Sequence, residues 1–192
     1  MNRYLLLAAL ISSILCEIQE INTENYLREL VGKHNAYREL HGSPFVKLDE
    51  NLNEMAYNQA VRMSEEMKFS YSNSTYKGST LGENFFYCNS FDGNSCLLNY
   101  DVPFYWYRYY YDYCFSSKSF TEDSRNFITM VWKETTTIGC GLLYKNYYDV
   151  MDTYFVVCLY YPGPHPYNGP TVEEIEANLQ DRTDGNRKMD PC

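Results

Sequence analysis

The sequence predicts an α/β sandwich, in which helices cover both sides of a small antiparallel sheet. Two observations favour this fold class. Apolar residues recur at helical spacing in the first part of the chain, and two β-rich runs follow, Thr137 to Tyr144 and Thr153 to Tyr161. A short polar connection separates these runs, so we expect them to form a β-hairpin.

Four helices are expected before the hairpin. Thr23 can cap the first helix, which Gly42 ends, and the second helix begins after Asp49. The third begins at Asp101, where a proline follows at a position that suits the first helical turn. The fourth helix follows Thr121.

Two further segments complete the expected order of elements. Residues Lys77 to Ser95, between the second and third helices, are rich in Gly, Asn and Ser, and we expect them to form a loop. After the hairpin, Thr171 and Glu174 form a capping box at the start of a short amphipathic helix.

The N-terminus has the pattern of a secretory signal peptide. Arg3 precedes an uncharged apolar run from Leu5 to Leu15, and cleavage after Cys16 is plausible. The run is too short to span a bilayer, which takes about 20 apolar residues. We therefore expect residues 1–16 to be removed and the mature protein to be secreted, with a permanent N-terminal anchor as the alternative.

The net charge of −9 limits the partners that the chain can bind. An acidic surface repels nucleic acid and anionic membranes, so neither is expected as a partner. After the N-terminal run, no stretch of the sequence is apolar enough for stable insertion into a membrane. Any affinity for lipid must therefore come from an apolar surface or a pocket.

Six cysteines follow the predicted leader, and an even number in an oxidising compartment indicates three disulfides. They are Cys88, Cys96, Cys114, Cys140, Cys158 and Cys192. Six cysteines allow fifteen pairings, so the count alone leaves the connectivity open. Asn73 begins an Asn-Ser-Thr sequon, which predicts a surface position and a glycosylation site.

Four separate stretches resemble the CAP superfamily, also called SCP/TAPS. They are Leu30–Arg38, Gly82–Asn84, Phe127–Trp132 continued by Gly139–Gly141, and Tyr154–Pro162. The cysteine pattern looks like that of a helminth venom allergen-like protein from a parasitic flatworm. The resemblance implies an α-β-α sandwich with about four helices around a small three-stranded antiparallel sheet. Residues 17–168 would form this domain, and residues 169–192 a C-terminal extension that a disulfide packs on it.

The resemblance also implies one disulfide, between Cys140 and Cys158, which would join the two strands of the hairpin. Proximity in sequence and elimination assign the other two pairs, Cys88 with Cys96 and Cys114 with Cys192.

Many CAP proteins have a cleft with two histidines and two acidic residues, which can bind a divalent cation such as zinc. Matched position by position, this chain has Tyr71, Glu83, Tyr109 and Asn126 there. One carboxylate with two phenols and an amide is a poor ligand set for zinc, and no imidazole is present as a base. We therefore expect no metal, no cofactor and no catalysis. We interpret Glu83 as a carboxylate that holds the loop, with a surviving functional role as the alternative.

Relatives in the family bind sterols through a mobile loop with the spacing aromatic-x-aromatic-x4-aromatic. Tyr113, Phe115 and Phe120 match this spacing, and serines between the rings leave the loop able to move. The rings offer apolar faces to a sterol. With 21 tyrosines in the chain, such a triplet can also arise by chance and belong to the core.

The second mode of lipid binding in the family is a fatty-acid channel between the first and fourth helices. The matching apolar side chains are Leu27, Leu30, Val31, Phe127, Met130 and Val131. Stripes of this kind are more often core packing. The lipid hypothesis therefore names a sterol, a fatty acid or both as the ligand of a secreted, non-enzymatic carrier.

The aromatic run from Phe104 to Tyr113 leads to an alternative function. On a helix the run places rings on two sides, with Tyr107 and Tyr111 away from the others, and both sides cannot easily be core. An exposed tyrosine-rich surface is typical of protein interfaces. The alternative is a secreted ligand or immunomodulator that binds a host protein. The family resemblance further implies a monomer or a weak dimer.

Overall fold

The computed structural model describes residues 23–91, 95–186 and 192. The predicted leader, residues 1–16, lies outside the described residues, and none of the described helices is long and apolar enough to cross a membrane. Helices α1 to α5 span Thr23–Leu40, Glu50–Glu66, Val102–Tyr107, Arg125–Val131 and Val172–Asn178. Strands β1 to β6 span Lys47–Leu48, Thr75–Tyr76, Ser79–Thr80, Gly82–Ser90, Thr137–Tyr147 and Met151–Tyr161.

The main sheet has four strands in the order β1-β5-β6-β4. Its centre is the predicted hairpin of β5 and β6, in which Cys140 lies opposite Cys158. Strand β4 runs antiparallel to β6, and these three strands form the expected antiparallel sheet. Strand β1 adds a short parallel pairing with Thr137 and Ile138 that the sequence did not indicate. The α/β class is confirmed, with one strand more than expected in this sheet.

The helix boundaries follow the capping residues in the sequence. The side chains of Asp49 and Asp101 accept backbone N–H bonds in the first turns of α2 and α3. Thr171 and Glu174 form both hydrogen bonds of the capping box at α5. After α1, Gly42 adopts a φ of 63°, which lets the chain turn away from the helix at little steric cost.

The loop expected over Lys77 to Ser95 is wrong, because this segment contains β3 and the nine-residue strand β4. Gly and Asn favour loops in isolation. In the fold, however, Asn84 is fully buried, and its Nδ2 donates to the Asn126 carbonyl at 3.0 Å and to the Tyr160 hydroxyl at 3.2 Å. Tertiary partners therefore satisfy a polar side chain that local preference assigns to a loop.

Helices cover both faces of the sheet, as the sandwich requires. Helix α2 packs Leu52 and Met63 against Phe155 and Val157 on one face. Helices α1, α3 and α4 pack on the other face in a larger core that is rich in aromatic rings. Gly139 permits the close approach of α2 to β5, since a Cβ at this position would collide with the backbone of Leu52.

All three expected disulfides are present: Cys88–Cys96, Cys114–Cys192 and Cys140–Cys158. The first joins the end of β4 to the 3-10 turn Cys96–Asn99, and the third joins neighbouring positions of β5 and β6. The second attaches the end of the chain to the loop that follows α3.

The exposed tyrosine-rich surface expected from Phe104 to Tyr113 is wrong for most of its rings. Tyr107 and Tyr110 are each 1% exposed, because different elements cover them. The Tyr107 ring stacks on Tyr37 of α1 with 4.1 Å between centroids. Tyr110 donates its hydroxyl to Asp181 of the C-terminal segment at 3.1 Å. Rings on both sides of the run therefore belong to the core, since α1 covers Tyr107 and the C-terminal segment covers Tyr110, while Phe104 and Tyr111 stay exposed.

Arg38 of α1 is fully buried and donates to four backbone carbonyls. Its Nε bonds Pro44 at 2.8 Å, Nη1 bonds Met130 and Trp132 at 3.0 and 2.9 Å, and Nη2 bonds Thr135 at 2.9 Å. Burial lowers the pKa of the guanidinium to about 10, which leaves it charged at neutral pH. One cation therefore holds α1, the turn before β1, and the connection from α4 to β5.

Replacing Arg38 with methionine would remove four hydrogen bonds and leave three of the buried carbonyls without donors, since only the Trp132 carbonyl also accepts from the backbone N–H of Thr135. Each unpaired group costs about 1–3 kcal/mol, so we expect Arg38→Met to lower the free energy of unfolding by about 4 kcal/mol or more. Arg38→Lys should lose nearly as much, because one ammonium cannot reach four carbonyls. Urea unfolding measures both variants. Arg28→Met, on the exposed side of α1, is the control, and a similar small change for both arginines would contradict this role.

Candidate functional site

The first candidate site is a cleft between the segment before β2, the start of β4 and the start of α4. Glu83 is 1% exposed, and its Oε2 accepts from the backbone N–H and the hydroxyl of Ser72 at 2.8 and 2.7 Å. Its Oε1 accepts from Nε2 of Gln59 at 3.1 Å. Burial raises the pKa of the Glu83 carboxyl, and these donors oppose that shift. The contacts of Glu83 hold the segment around Ser72 against β4.

Tyr71 precedes Ser72, which donates to this carboxylate, and it contacts Arg125 of α4. Nη1 of Arg125 donates to the Tyr71 hydroxyl at 3.0 Å, and its guanidinium carbon lies 4.7 Å from the centre of the Tyr71 ring. Burial raises the pKa of the Tyr71 phenol. Sequence reasoning did not select Arg125, because nothing in its local pattern indicates where so long a side chain ends.

Asn126 and Tyr109 complete the four positions that the sequence matched to a metal site. Asn126 is joined to the cleft through its backbone carbonyl, which accepts from Asn84 next to Glu83. Tyr109 lies half-buried in the 3-10 turn Arg108–Asp112, and its hydroxyl accepts from Arg108 at 3.4 Å. The recorded contacts bring Tyr71, Glu83 and Asn126 to one cleft and connect Tyr109 to its own turn.

The residues of this cleft do not fit a divalent cation. Within the described ranges, no three His, Cys, Asp or Glu side chains come together as a potential metal site. Glu83 already accepts three hydrogen bonds, and the nearby Arg125 supplies positive charge. Zinc takes three or four nitrogen, sulfur or carboxylate ligands, which neutral phenols and an amide do not replace.

A buried hydrogen-bonded chain connects the cleft to α1. Asn84 donates to the Tyr160 hydroxyl, and this hydroxyl lies 2.8 Å from Nε2 of His34. Nδ1 of His34 lies 2.7 Å from the carbonyl of Leu30, which can only accept. The ring proton is therefore on Nδ1, and Tyr160 donates to Nε2. Burial lowers the pKa of His34 to about 4, so the ring is neutral at pH 7.

The second candidate site is a groove of about 470 Å³ beside the aromatic loop. Tyr113 and Phe115 line one wall, and Ile175 and Leu179 of the C-terminal segment line the other. Phe120 lies elsewhere, against Gly169 and the guanidinium of Arg125. The fold therefore divides the predicted sterol-binding triplet, with two rings in the groove and one at the cleft.

The C-terminal segment is held against this groove by several contacts. Lys118 forms an ion pair with Glu176 across the groove. Nδ1 of His41 donates to the carbonyl of Gln180 at 2.6 Å, and Cys114 bonds Cys192. The sequence indicated the helix but not its place beside the aromatic loop, because residues about 60 positions apart meet only in the fold.

The side chains expected to line a fatty-acid channel pack together in one core. Leu30, Val31, Phe127, Met130 and Val131 are buried, and Leu27 is partly buried against the same cluster. The two helices that carry them are in contact. A ligand between these helices would have to displace core contacts. The fatty-acid channel stays a prediction.

The fold and the matching segments define the class of protein. Residues 31–160 match the family model "CAP: Cysteine-rich secretory protein family". Since this match covers more than half of the chain, the chain belongs to the CAP family.

A human relative agrees with this assignment. The chain is 30% identical over 154 residues to the human Golgi-associated plant pathogenesis-related protein 1, which covers 79% of this chain and 92% of the relative. The Hookworm Platelet Inhibitor structure is 20% identical with a TM-score of 0.52, over 82% of this chain and 80% of the other. The structure of Schistosoma mansoni venom allergen-like protein 4 is 23% identical with a TM-score of 0.48, over 77% of this chain and 96% of the other. At such low identity, the hookworm structure supports the fold alone.

Acidification should destabilise the protein through His34. The unfolded ring takes up a proton near pH 6.5, whereas the folded ring resists protonation down to about pH 4. The unfolded state thus binds more protons between about pH 6.5 and pH 4. The contribution of the neutral His34 ring to the free energy of unfolding is therefore fully present above about pH 6.5 and is lost as the pH falls. We expect the stability difference between wild type and His34→Gln to shrink by about 2 kcal/mol from pH 7 to pH 5. Urea unfolding of both proteins at pH 7 and pH 5 measures this stability difference. A difference that does not change with pH would rule out this role of His34.

Zinc should neither bind the cleft nor stabilise the protein. We expect calorimetric titration to give no saturable heat, and the melting temperature to be the same with zinc and with a chelator. A variant with Tyr71→His, Arg125→Gly and Asn126→His puts imidazoles at the two cleft positions that accompany Glu83 and serves as the positive control. Micromolar zinc binding by the wild type that Glu83→Gln abolishes would show that the interpretation is wrong.

Proposed function

We propose that this chain is a secreted, non-enzymatic lipid-binding protein that holds a sterol in the groove between the aromatic loop and the C-terminal segment. The observation that carries the proposal is the lining of this groove. Tyr113, Phe115, Ile175 and Leu179 give apolar walls to a space of about 470 Å³. This volume lies within the range of about 300–1,000 Å³ that is typical of small-molecule sites.

The polar residues of the groove support a ligand with one uncharged polar group. Lys118 is already paired with Glu176, and Asp181 accepts from the hydroxyl of Tyr110. Gln180 also lines the groove and has an amide side chain. A hydroxyl can exchange hydrogen bonds with these groups, whereas the carboxylate of a fatty acid would face two acidic side chains. A sterol is therefore the better candidate, and palmitate at the α1–α4 core is the weaker one.

The proposal that the protein is secreted rests on its disulfides and its N-terminal pattern. Three disulfides are typical of proteins that fold in an oxidising compartment. Asn73 is exposed in the irregular segment before β2, where a glycan can be attached. The human relative is Golgi-associated by name, so retention inside the cell is the alternative. Origin from a parasitic flatworm stays a prediction from the cysteine pattern.

The alternative function, a ligand for a host protein, has less support. It depended on an exposed tyrosine-rich surface, and most of those rings are core. Phe104 and Tyr111 are the clearly exposed members, at 45% and 53%. Two rings are a small interface, because stable complexes bury about 800 Å² on each partner. The expectation of a monomer or weak dimer stays a prediction.

Substitutions in the groove should weaken sterol binding. We expect purified, delipidated protein to bind labelled cholesterol saturably, and Phe115→Ala and Leu179→Gln each to lower the affinity about tenfold through lost apolar contact. Labelled palmitate is measured alongside. Tyr148→Ala is the matched control, because this ring is 94% exposed in the turn between β5 and β6.

Circular dichroism would show that each variant is folded before its affinity is compared. Equal cholesterol affinity in the groove variants and the control would overturn the site. Absence of cholesterol binding by the wild type would overturn the sterol proposal itself.

A further inference from the structure

Arg125 is a cation held between two aromatic rings. Its guanidinium carbon lies 4.7 Å from the centre of the Tyr71 ring and 5.6 Å from that of Phe120. Nη1 donates to the Tyr71 hydroxyl at 3.0 Å. Aromatic faces attract a guanidinium but accept few of its N–H bonds, so only the edge of the group can meet further acceptors.

This cation has no carboxylate partner among the residues that the structure describes. None of the ion pairs there includes Arg125. Glu83, the buried acid of the cleft, is held by Ser72 and Gln59 instead. Nε of Arg125 is enclosed and lacks a hydrogen-bond partner. A partly desolvated N–H donor without an acceptor is costly, and an incoming acceptor would relieve this cost.

Two further donors lie along the same cleft. The Tyr71 oxygen accepts from Arg125, which leaves its own proton available to a ligand. Nδ1 of His165 accepts from the backbone N–H groups of Tyr167 and Asn168 at 3.1 and 3.2 Å, so a neutral ring carries its proton on Nε2. The Tyr167 ring packs edge-on against Tyr71 at 5.6 Å, which joins this turn to the cleft. Nε of Arg125 thus remains a donor without an acceptor among the described residues, beside the Tyr71 hydroxyl, whose proton is available.

We propose that this cleft is a binding site for a small carboxylate whose charged group is attached to a flat apolar body. The carboxylate accepts from the outer edge of the Arg125 guanidinium and from the Tyr71 hydroxyl. Because Nη1 is used by Tyr71, the edge formed by Nε and Nη2 is the fork that matches two carboxylate oxygens. The half-buried Phe120 ring lies against the guanidinium, and the ligand displaces it to reach Nε.

A flat apolar body suits the surroundings of this fork. Tyr71, Phe120 and Tyr167 present ring faces and edges around it. The acidic chain, with a net charge of −9, disfavours ligands of high negative charge, so a monoanion is the expected class. The site is distinct from the lipid groove, since none of these residues lines that groove.

The probe that tests this site is benzoate, and benzamide is a neutral molecule of the same shape. Titrations followed by NMR of the ¹⁵N-labelled protein report on the arginine Nε–H signals. We expect benzoate to shift the arginine Nε–H signals saturably and benzamide to shift them little. Benzoate should also bind more weakly at high salt. Arg125→Gln should reduce benzoate affinity at least tenfold, because charge-assisted hydrogen bonds are lost. Arg125→Lys keeps the charge but loses the fork, and should also bind more weakly.

Arg28→Gln is the matched control, because it removes the same charge from the exposed surface of α1. Melting temperatures establish that the variants are folded, and Arg125→Lys provides the comparison if the glutamine variant does not fold. Benzoate affinity that is equal in the Arg125 variants and Arg28→Gln would overturn the proposal. Equal binding of benzamide, or no saturable benzoate shift in the wild type, would do the same. Sterol binding at the groove is independent of each result.

Discussion

The buried guanidinium of Arg38 is the contact on which the arrangement of the sandwich depends. Helix α4 has only seven residues, and an irregular connection follows it before β5 begins. Without Arg38, the carbonyls of Met130 and Thr135 would be unpaired inside the core, and that of Trp132 would keep only the backbone N–H of Thr135. The same side chain bonds the turn that leads into β1. Burying a cation is costly, but four charge-assisted hydrogen bonds offset the loss of water. One residue therefore aligns the helical layer with the sheet.

A second constraint is that many rings of the core carry a hydroxyl or an indole N–H group, which needs a hydrogen-bond partner inside the protein. Tyr160 donates to His34, and Trp106 donates its indole N–H to the carbonyl of Phe85 at 3.1 Å. Tyr107 pairs with Nε2 of His41 at 2.9 Å. Buried tyrosine and tryptophan combine large apolar area with a polar atom that needs a partner. Because these partners come from distant segments, a tyrosine-rich run that looks too polar to be buried becomes core.

The two candidate sites share one stretch of chain, between α3 and α4. Tyr113 and Phe115 of this stretch face the groove, whereas Phe120 faces the cleft through Arg125 and Gly169. Position-by-position reading of the sequence, guided by the family resemblance, led to the expectation of no metal, which stays a prediction. It did not find Arg125, whose importance depends on the two rings around it. The residues at the four matched positions could thus be predicted from the sequence, but the contacts around Arg125 could not, because they join residues far apart in the chain.

The sequence by itself determined the features that depend on neighbouring residues or on covalent chemistry. These include the capping of α2, α3 and α5, the β5–β6 hairpin and the Cys88–Cys96 disulfide that proximity favours. The tertiary structure decided strand β4, the burial of the tyrosine run and the groove between the aromatic loop and the C-terminal segment. Each of these depends on contacts between residues far apart in sequence. Local preferences carry no information on such contacts, since burial and distant hydrogen-bond partners outweigh the fraction of a kcal/mol that a local preference contributes.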